Sequence, residues 1–267
     1  MKNILLLIHD DHGQEARFQA ALDIGRALEG HLTCLDVTCM RMIAADSYGV
    51  TGTVMLLEDE RLRETANRTR MKARLAVEDV PWDWIDVTGF LEQSIENSAA
   101  LADIIVVNRH LGGFGDPGAR LVASGLVVNS GKPILAVPEK CKGFATAGAA
   151  LIAWDGSNGA SAALTAAVPL LKLAASVTIF EVDDGSLSTS AEEAAAYLSR
   201  NDVHPLIVRT ARGDDRVSSL IFAKVQSGRF DYLVMGGFGH SRFAEAMLGG
   251  VTRKMLTESS IPLLIAR

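Results

Sequence analysis

Cysteine is scarce in this chain of 267 residues: Cys34, Cys39 and Cys141 are an odd number, at spacings that build no disulfide framework. They read as reduced thiols, with Cys34 buried. Cys34 and Cys39 could gather with His9, His12 and His31 around a soft metal, but no ligand spacing fixes such a geometry and no metal site is assigned. Positive charge is also in deficit. Lys and Arg number 26 against 32 Asp and Glu, for a net charge of −6, and no basic stripe runs along any segment. That excludes a general nucleic-acid binder, which needs clustered cations to neutralise phosphates. Long apolar runs are missing too. The first, Ile4–Ile8, lasts five residues before His9-Asp10-Asp11-His12, too short for the apolar core of a signal peptide. The Ala-rich stretch from Ser161 to Phe180 is interrupted by Pro169 and Lys172, so no membrane span is expected. A cytoplasmic location, with neither nucleic acid nor membrane as partner, is the expectation.

What is present is a chain 48% apolar and 22% charged, long enough for one large or two ordinary α/β domains. Strand-like runs alternate with helical ones, which predicts a parallel α/β sheet. In the first half the strands are Asn3–Ile8, His31–Val37, Trp82–Val87, Asp103–Val107 and the segment from Lys132 to Pro138. Helices are expected at Gln14–Glu29, Val54–Val77, Leu91–Ala100 and Ala119–Val128, the second with an Arg-rich outer face read as solvated. The second half repeats the order, with strands at Ala149–Trp154, Ser176–Val182, His204–Thr210, Asp231–Met235 and Pro262–Ala266. Its helices are placed at Ala160–Ala174, Ala191–Arg200 and Val217–Gln226, followed by a last one before the final strand. Asp10 matches Asp155, Asp103 matches Asp231, and Lys132-Pro133 matches Ile261-Pro262, at offsets of 145, 128 and 129 residues. The polar linker Glu139–Gly148 marks a boundary, giving domains 1–140 and 147–267.

The richest segment is Asp231–Arg267. There Asp231-Tyr-Leu-Val-Met235 meets Gly236-Gly-Phe-Gly239-His-Ser-Arg, and Gly249-Gly250 opens a helical stretch. Two glycine turns flanking a helix start suit an anion, because backbone N–H groups can approach a phosphate with no Cβ in the way. Each glycine alone could equally serve only a tight turn.

Two copies of a five-stranded unit, each ending in Pro-Ile/Leu-Leu-x-Ala, resemble the tandem form of the universal stress protein family. The resemblance spans the chain and is stronger in the second half, at Trp154-Asp155-Gly-Ser157 and at Val234-Met-Gly-Gly-Phe-Gly-His-Ser-Arg. It implies two Rossmann-like domains of the adenine nucleotide alpha hydrolase-like type, each a five-stranded parallel sheet flanked by helices. Nucleotide-binding members carry Gly-x2-Gly-x9-Gly followed by Ser or Thr. Gly236, Gly239 and Gly249 fit that spacing, whereas Gly250 stands where the hydroxyl residue is expected. The missing hydroxyl would weaken phosphate binding by roughly 0.5–1.5 kcal/mol. Val251 follows it, and Thr252 could compensate. By the same resemblance Asp155 and Ser157 would face the adenine or ribose, the backbone of Val182 would border the base, Met235 would line its apolar side, and His240 would reach phosphates. The alternative for Asp155 is a helix cap, and for Met235 plain core packing. ATP is the implied cofactor, with AMP or ADP as variants and Mg2+ if ATP is bound.

The first half contains Gly112-x2-Gly115-x9-Gly125, yet its strand ends at Asn108, so Asn108 and not Gly112 holds the first glycine's place. Asp116 would repel a phosphate, and this half reads as degenerate. His9–His12 beside it read as solvated loop residues. No Walker loop, dinucleotide fingerprint, nucleophile elbow or His-Glu-x-x-His is present, so no catalytic residue is assigned and slow ATP hydrolysis is the most that is expected. Ile134–Val137 and Leu263–Ala266 are expected to pair within the chain as a pseudo-dimer, since an exposed apolar edge strand invites aggregation. A second pairing, as a homodimer, stays open, as does a protein-interaction module without nucleotide. Protein partners are unspecified.

Overall fold

Strands that are apolar at every position need cover on both faces. Ile4, Leu6 and Ile8 join one buried cluster and Leu5 and Leu7 the other, so successive side chains feed opposite layers. The structure, a computed structural model, describes residues 1–39, 49–109, 122–183, 189–237 and 250–267; the side chains of 39, 49–60 and 122 fall outside that description.

The first half runs β1 (Asn3–Ile8), α1 (Gln14–Leu28), β2 (His31–Cys39), α2 (Gly49–Leu75), β3 (Trp82–Gly89), α3 (Leu91–Ser98), β4 (Ile104–Asn108), α4 (Val122–Asn129) and β5 (Ile134–Val137). The second runs β6 (Ala149–Trp154), α5 (Asn158–Leu171), β7 (Ser176–Asp183), α6 (Ala191–Ser199), β8 (Leu206–Ala211), α7 (Val217–Gln226), β9 (Tyr232–Gly236), α8 (Gly250–Glu258) and β10 (Leu263–Ala266). The order is the expected α/β alternation.

All ten strands form one sheet, in the order β3-β2-β1-β4-β5-β10-β9-β6-β7-β8. Neighbours within each half are parallel. At the centre β5 and β10 run antiparallel, with Ala136 opposite Leu263 and Leu135 opposite Leu264. One face is covered by α1, α2, α5 and α6 through Phe18, Met71, Leu164 and Leu198. The other is covered by α3, α4, α7 and α8 through Ile95, Leu126, Val225 and Met255. Outer strands β3 and β8 are half exposed. The connection after β5 is less loose than its composition suggested: Phe144 is buried, stacks 5.0 Å from Tyr232, and its N–H donates to Asp23 Oδ2 at 2.7 Å.

The internal repeat shows in hydrogen bonds. Asp103 Oδ2 accepts the N–H of Asn3, and Asp231 Oδ2 accepts that of Ala149, so each aspartate ties the start of its half's first strand. One matched pair needs correction. Asp155 Oδ1 accepts the N–H of Ser157, the residue that caps α5. In the first half the same turn is made by Asp11, whose Oδ1 accepts from Gly13, the residue before α1. Asp11, not Asp10, is therefore the counterpart of Asp155, and His9-Asp10 are two added residues between strand and turn.

Candidate functional site

The carboxyl ends of β6, β7 and β9 lie together at one rim of the sheet, where an open parallel sheet makes its ligand crevice. Asp155 is exposed there, directly after β6. Ser157 is the N-cap of α5, and its Oγ accepts from Ala160 N at 3.1 Å. This is ordinary capping chemistry. Val182 and Met235 are both buried in the apolar layer under α7 and α8, with Phe180 and Ala153, so each packs in the core.

Gly236 closes β9 against the start of α5. A Cβ on Gly236 would lie 2.5 Å from Ala160 N and 2.7 Å from Gly159 C, so the helix backbone approaches as only glycine allows. Gly237 is crowded in the same way by Val127 of α4 and Ile265 of β10. Gly250 differs: it is exposed, begins α8, and a Cβ there would meet nothing within 4 Å. The N–H groups of a helix's first turn have no partner within the helix, so this start suits an anion. Val251 is half-buried, while Thr252 is buried with Met255 and Leu256 on the packed face of α8 rather than on the exposed side at Gly250. Gly239, His240 and Gly249 lie outside the described residues, as do Gly112, Gly115 and Asp116.

The corresponding rim of the first half is filled by its own side chains. Arg17, fully buried on α1, donates from Nε to Leu7 O at 2.7 Å and from Nη2 to His9 O at 2.5 Å. Its Nη1 reaches both oxygens of Asp11, at 2.7 and 2.8 Å, and Asn108 Oδ1 at 2.5 Å. Asn108 ends β4 as Gly236 ends β9, and its amide abuts Gly13 so closely that a Cβ on Gly13 would come within 2.4 Å. From α2, Glu64 Oε1 lies 2.6 Å from His9 Nδ1 and also accepts the N–H of Asp10 at 3.2 Å. Asn67 and Gln14 exchange reciprocal amide bonds at 2.8 Å. His9 and Asp11 are therefore not solvated, contrary to the sequence reading, because Glu64 of α2 covers His9 and Arg17 of α1 holds Asp11, while His12 is exposed. Nor is the Arg-rich face of α2 free, since Arg68 and Arg70 reach Asp36 and Asp10.

Two buried carboxylates, absent from the sequence-derived candidates, occupy equivalent places one strand further out. Asp36 on β2 takes Arg68 Nε at 2.9 Å, and Glu181 on β7 takes Arg209 Nε at 2.6 Å. Ile8 opposes Asp36 as Trp154 opposes Glu181. Burial pushes the Asp36 carboxyl up to about 6, although Arg68 pulls it down. Burial also drives the Cys34 thiol up to about 12, which keeps it an unreactive core residue. Among the described residues no cluster of three or more His, Cys, Asp or Glu side chains is arranged to hold a metal. No helix among them is long and apolar enough to cross a membrane.

Residues 149–267 match the model of the universal stress protein family. The C-terminal half is a universal stress protein domain. A universal stress protein of Synechocystis is 25% identical over 298 aligned positions, spanning 100% of both chains, which fits a tandem form of the family. Among solved structures, a universal stress protein from Archaeoglobus fulgidus superposes with a TM-score of 0.76 at 14% identity, covering 99% of this chain and 98% of that one. One from Pseudomonas aeruginosa gives 0.63 at 17% identity, over 100% and 93%. These two show the common fold of both halves. Within the universal stress protein domain, the glycine-lined approach of β9 to α5 is the feature that separates this half from its partner, where Arg17 and Asn108 stand.

Proposed function

We propose that the universal stress protein domain binds an adenine nucleotide, chiefly ATP, as a nucleotide-responsive regulatory module in the cytoplasm rather than as an efficient catalyst. The division is into units 1–140 and 147–267, and only the second takes nucleotide. The observation that carries this reading is the contrast between the two rims: the second half meets α5 with bare Gly236 and starts α8 on an uncrowded Gly250, where Asn108 and Arg17 fill the first half's rim with side chains. Asp155 would meet the base or ribose, the backbone at Val182 the edge of the adenine, and the N–H groups of Gly250 and Val251 a phosphate. Mg2+ would accompany the triphosphate, and AMP or ADP would fit with fewer phosphate contacts.

Calorimetric titration of nucleotide-stripped protein with ATP tests it, with Gly239→Val as control. Saturable binding near one site per chain, lost in the variant, is the expected result. Absence of heat at millimolar ATP would overturn it. The second reading, an interaction module whose site has been lost, is favoured by one feature: Gly250 carries no hydroxyl where Ser or Thr is expected, and Thr252 is turned into the core. A homodimer of the whole chain belongs to either reading and is tested by its mass in solution.

A further inference from the structure

The first half holds a buried polar assembly that nucleotide binding does not use. Along α2 the attachment changes character. Met71 and Leu75 are buried in the apolar core, whereas one and two turns earlier the buried residues are Glu64 and Asn67. Among the described residues, the attachment of α2 ahead of Met71 is therefore polar: Glu64 to His9, Asn67 to Gln14, Arg70 and Arg63 to Asp10, and Arg68 to Asp36 and Asp86. A carboxylate as buried as Glu64 needs a cation beside it. Its nearest ring is His9, and histidine, unlike arginine, can give up its charge near neutral pH.

We propose that the contact of α2 with the turn after β1 is a proton-controlled latch: protonated His9 against Glu64 holds α2 on the first half's rim, and loss of that proton releases it.

The charged groups facing His9 are Glu64 from α2, Asp11 from the β1–α1 turn and Arg17 from α1. Burial alone would depress the imidazolium, and Arg17 adds to that. The Glu64 carboxylate 2.6 Å away, helped by Asp11, outweighs both, so the ring holds its proton above its ordinary pKa of 6.5. The contact is an ion pair by distance, since Nδ1 has no well-aligned hydrogen bond among the described residues. Asp36 faces Arg68 and Glu64 from α2 and Asp86 from β3, and its Oδ1 is buried without a partner among the described residues. Because α2 supplies the Glu64 carboxylate that raises His9, the docked form binds the His9 proton more tightly than the open one, so docking of α2 weakens as pH rises above 6.5. The latch therefore opens on the alkaline side, pivoting about Met71 and Leu75.

Hydrogen exchange of the intact chain between pH 6 and 9, corrected for intrinsic rates, reads the opening of residues 61–70 against that of β4 and β9. A single released proton raises the opening constant by up to about tenfold per pH unit. The wild type should show that rise, while His9→Gln, with no proton to lose, should open more at pH 6 and stay flat. Equal slopes in both proteins, or no rise in the wild type, would overturn the latch. Should His9→Gln fail to fold, NMR titration of the wild-type imidazole decides. A midpoint above 6.5 that coincides with the change at residues 61–70 supports the latch, and a midpoint at or below 6.5 refutes it.

Discussion

Arg17 and Gly236 solve the same packing problem in opposite ways. Each fills the gap between the first helix and the fourth strand of its half, one with a guanidinium and one with bare backbone. Replacing Arg17 by Met keeps the volume but leaves the buried Asp11 carboxylate without its cation and Asn108 Oδ1 without its donor, and should cost about 3–5 kcal/mol in urea unfolding. Gly236→Ala would drive a methyl into the start of α5, for a loss of about 1–3 kcal/mol by the same measurement. Gly250→Ser meets no atom and should leave stability within about 0.5 kcal/mol. It would tighten ATP binding several-fold in calorimetry if a hydroxyl is what the phosphate site lacks. Asp36→Asn removes the carboxyl that burial holds near 6, so the loss of stability expected of the wild type from pH 4 to 6 should flatten. Thermal unfolding across that range checks it.

At the scale of elements, α8 is nine residues long, starts on glycine, and carries no basic residue in its last turn, where Glu258 opposes the helix dipole. The missing positive charge comes from the other half: Arg109, just after β4, donates from Nη1 to Leu256 O at 3.2 Å. Arg109→Ala should therefore loosen α8 by about 0.3–1 kcal/mol, seen as faster amide exchange in residues 250–258. Cross-half contacts of this sort leave no trace in sequence, because Arg109 looks like any polar residue after a strand. The elements themselves were legible, since Ile4–Ile8 and Ala150–Trp154 are apolar without interruption and the helices between them are amphipathic. Asp103 and Asp231 were matched correctly because spacing and role coincide. Asp10 was matched to Asp155 because spacing alone does not reveal which aspartate bonds to the helix start. His9 and Arg17 were missed as buried groups for a related reason: α2, which covers the His9 turn, comes from fifty residues later, and no local pattern records it.

Across the whole molecule, the antiparallel contact of β5 with β10 makes one sheet of two halves, with Ile134, Leu135, Leu264 and Ile265 fully buried along it. Phe144 fastens the connecting segment to both Tyr232 and Asp23. Urea unfolding should therefore be a single transition by fluorescence and circular dichroism, and Leu264→Asp should destabilise residues on both sides of the seam together. Two resolved transitions would show that the halves fold independently. In a protein built from two separate copies, such a seam would be governed by mass action and would come apart on dilution. Here the partner strand is always on the same chain, so the midpoint of unfolding should not move with protein concentration, and at nanomolar levels the seam should remain closed.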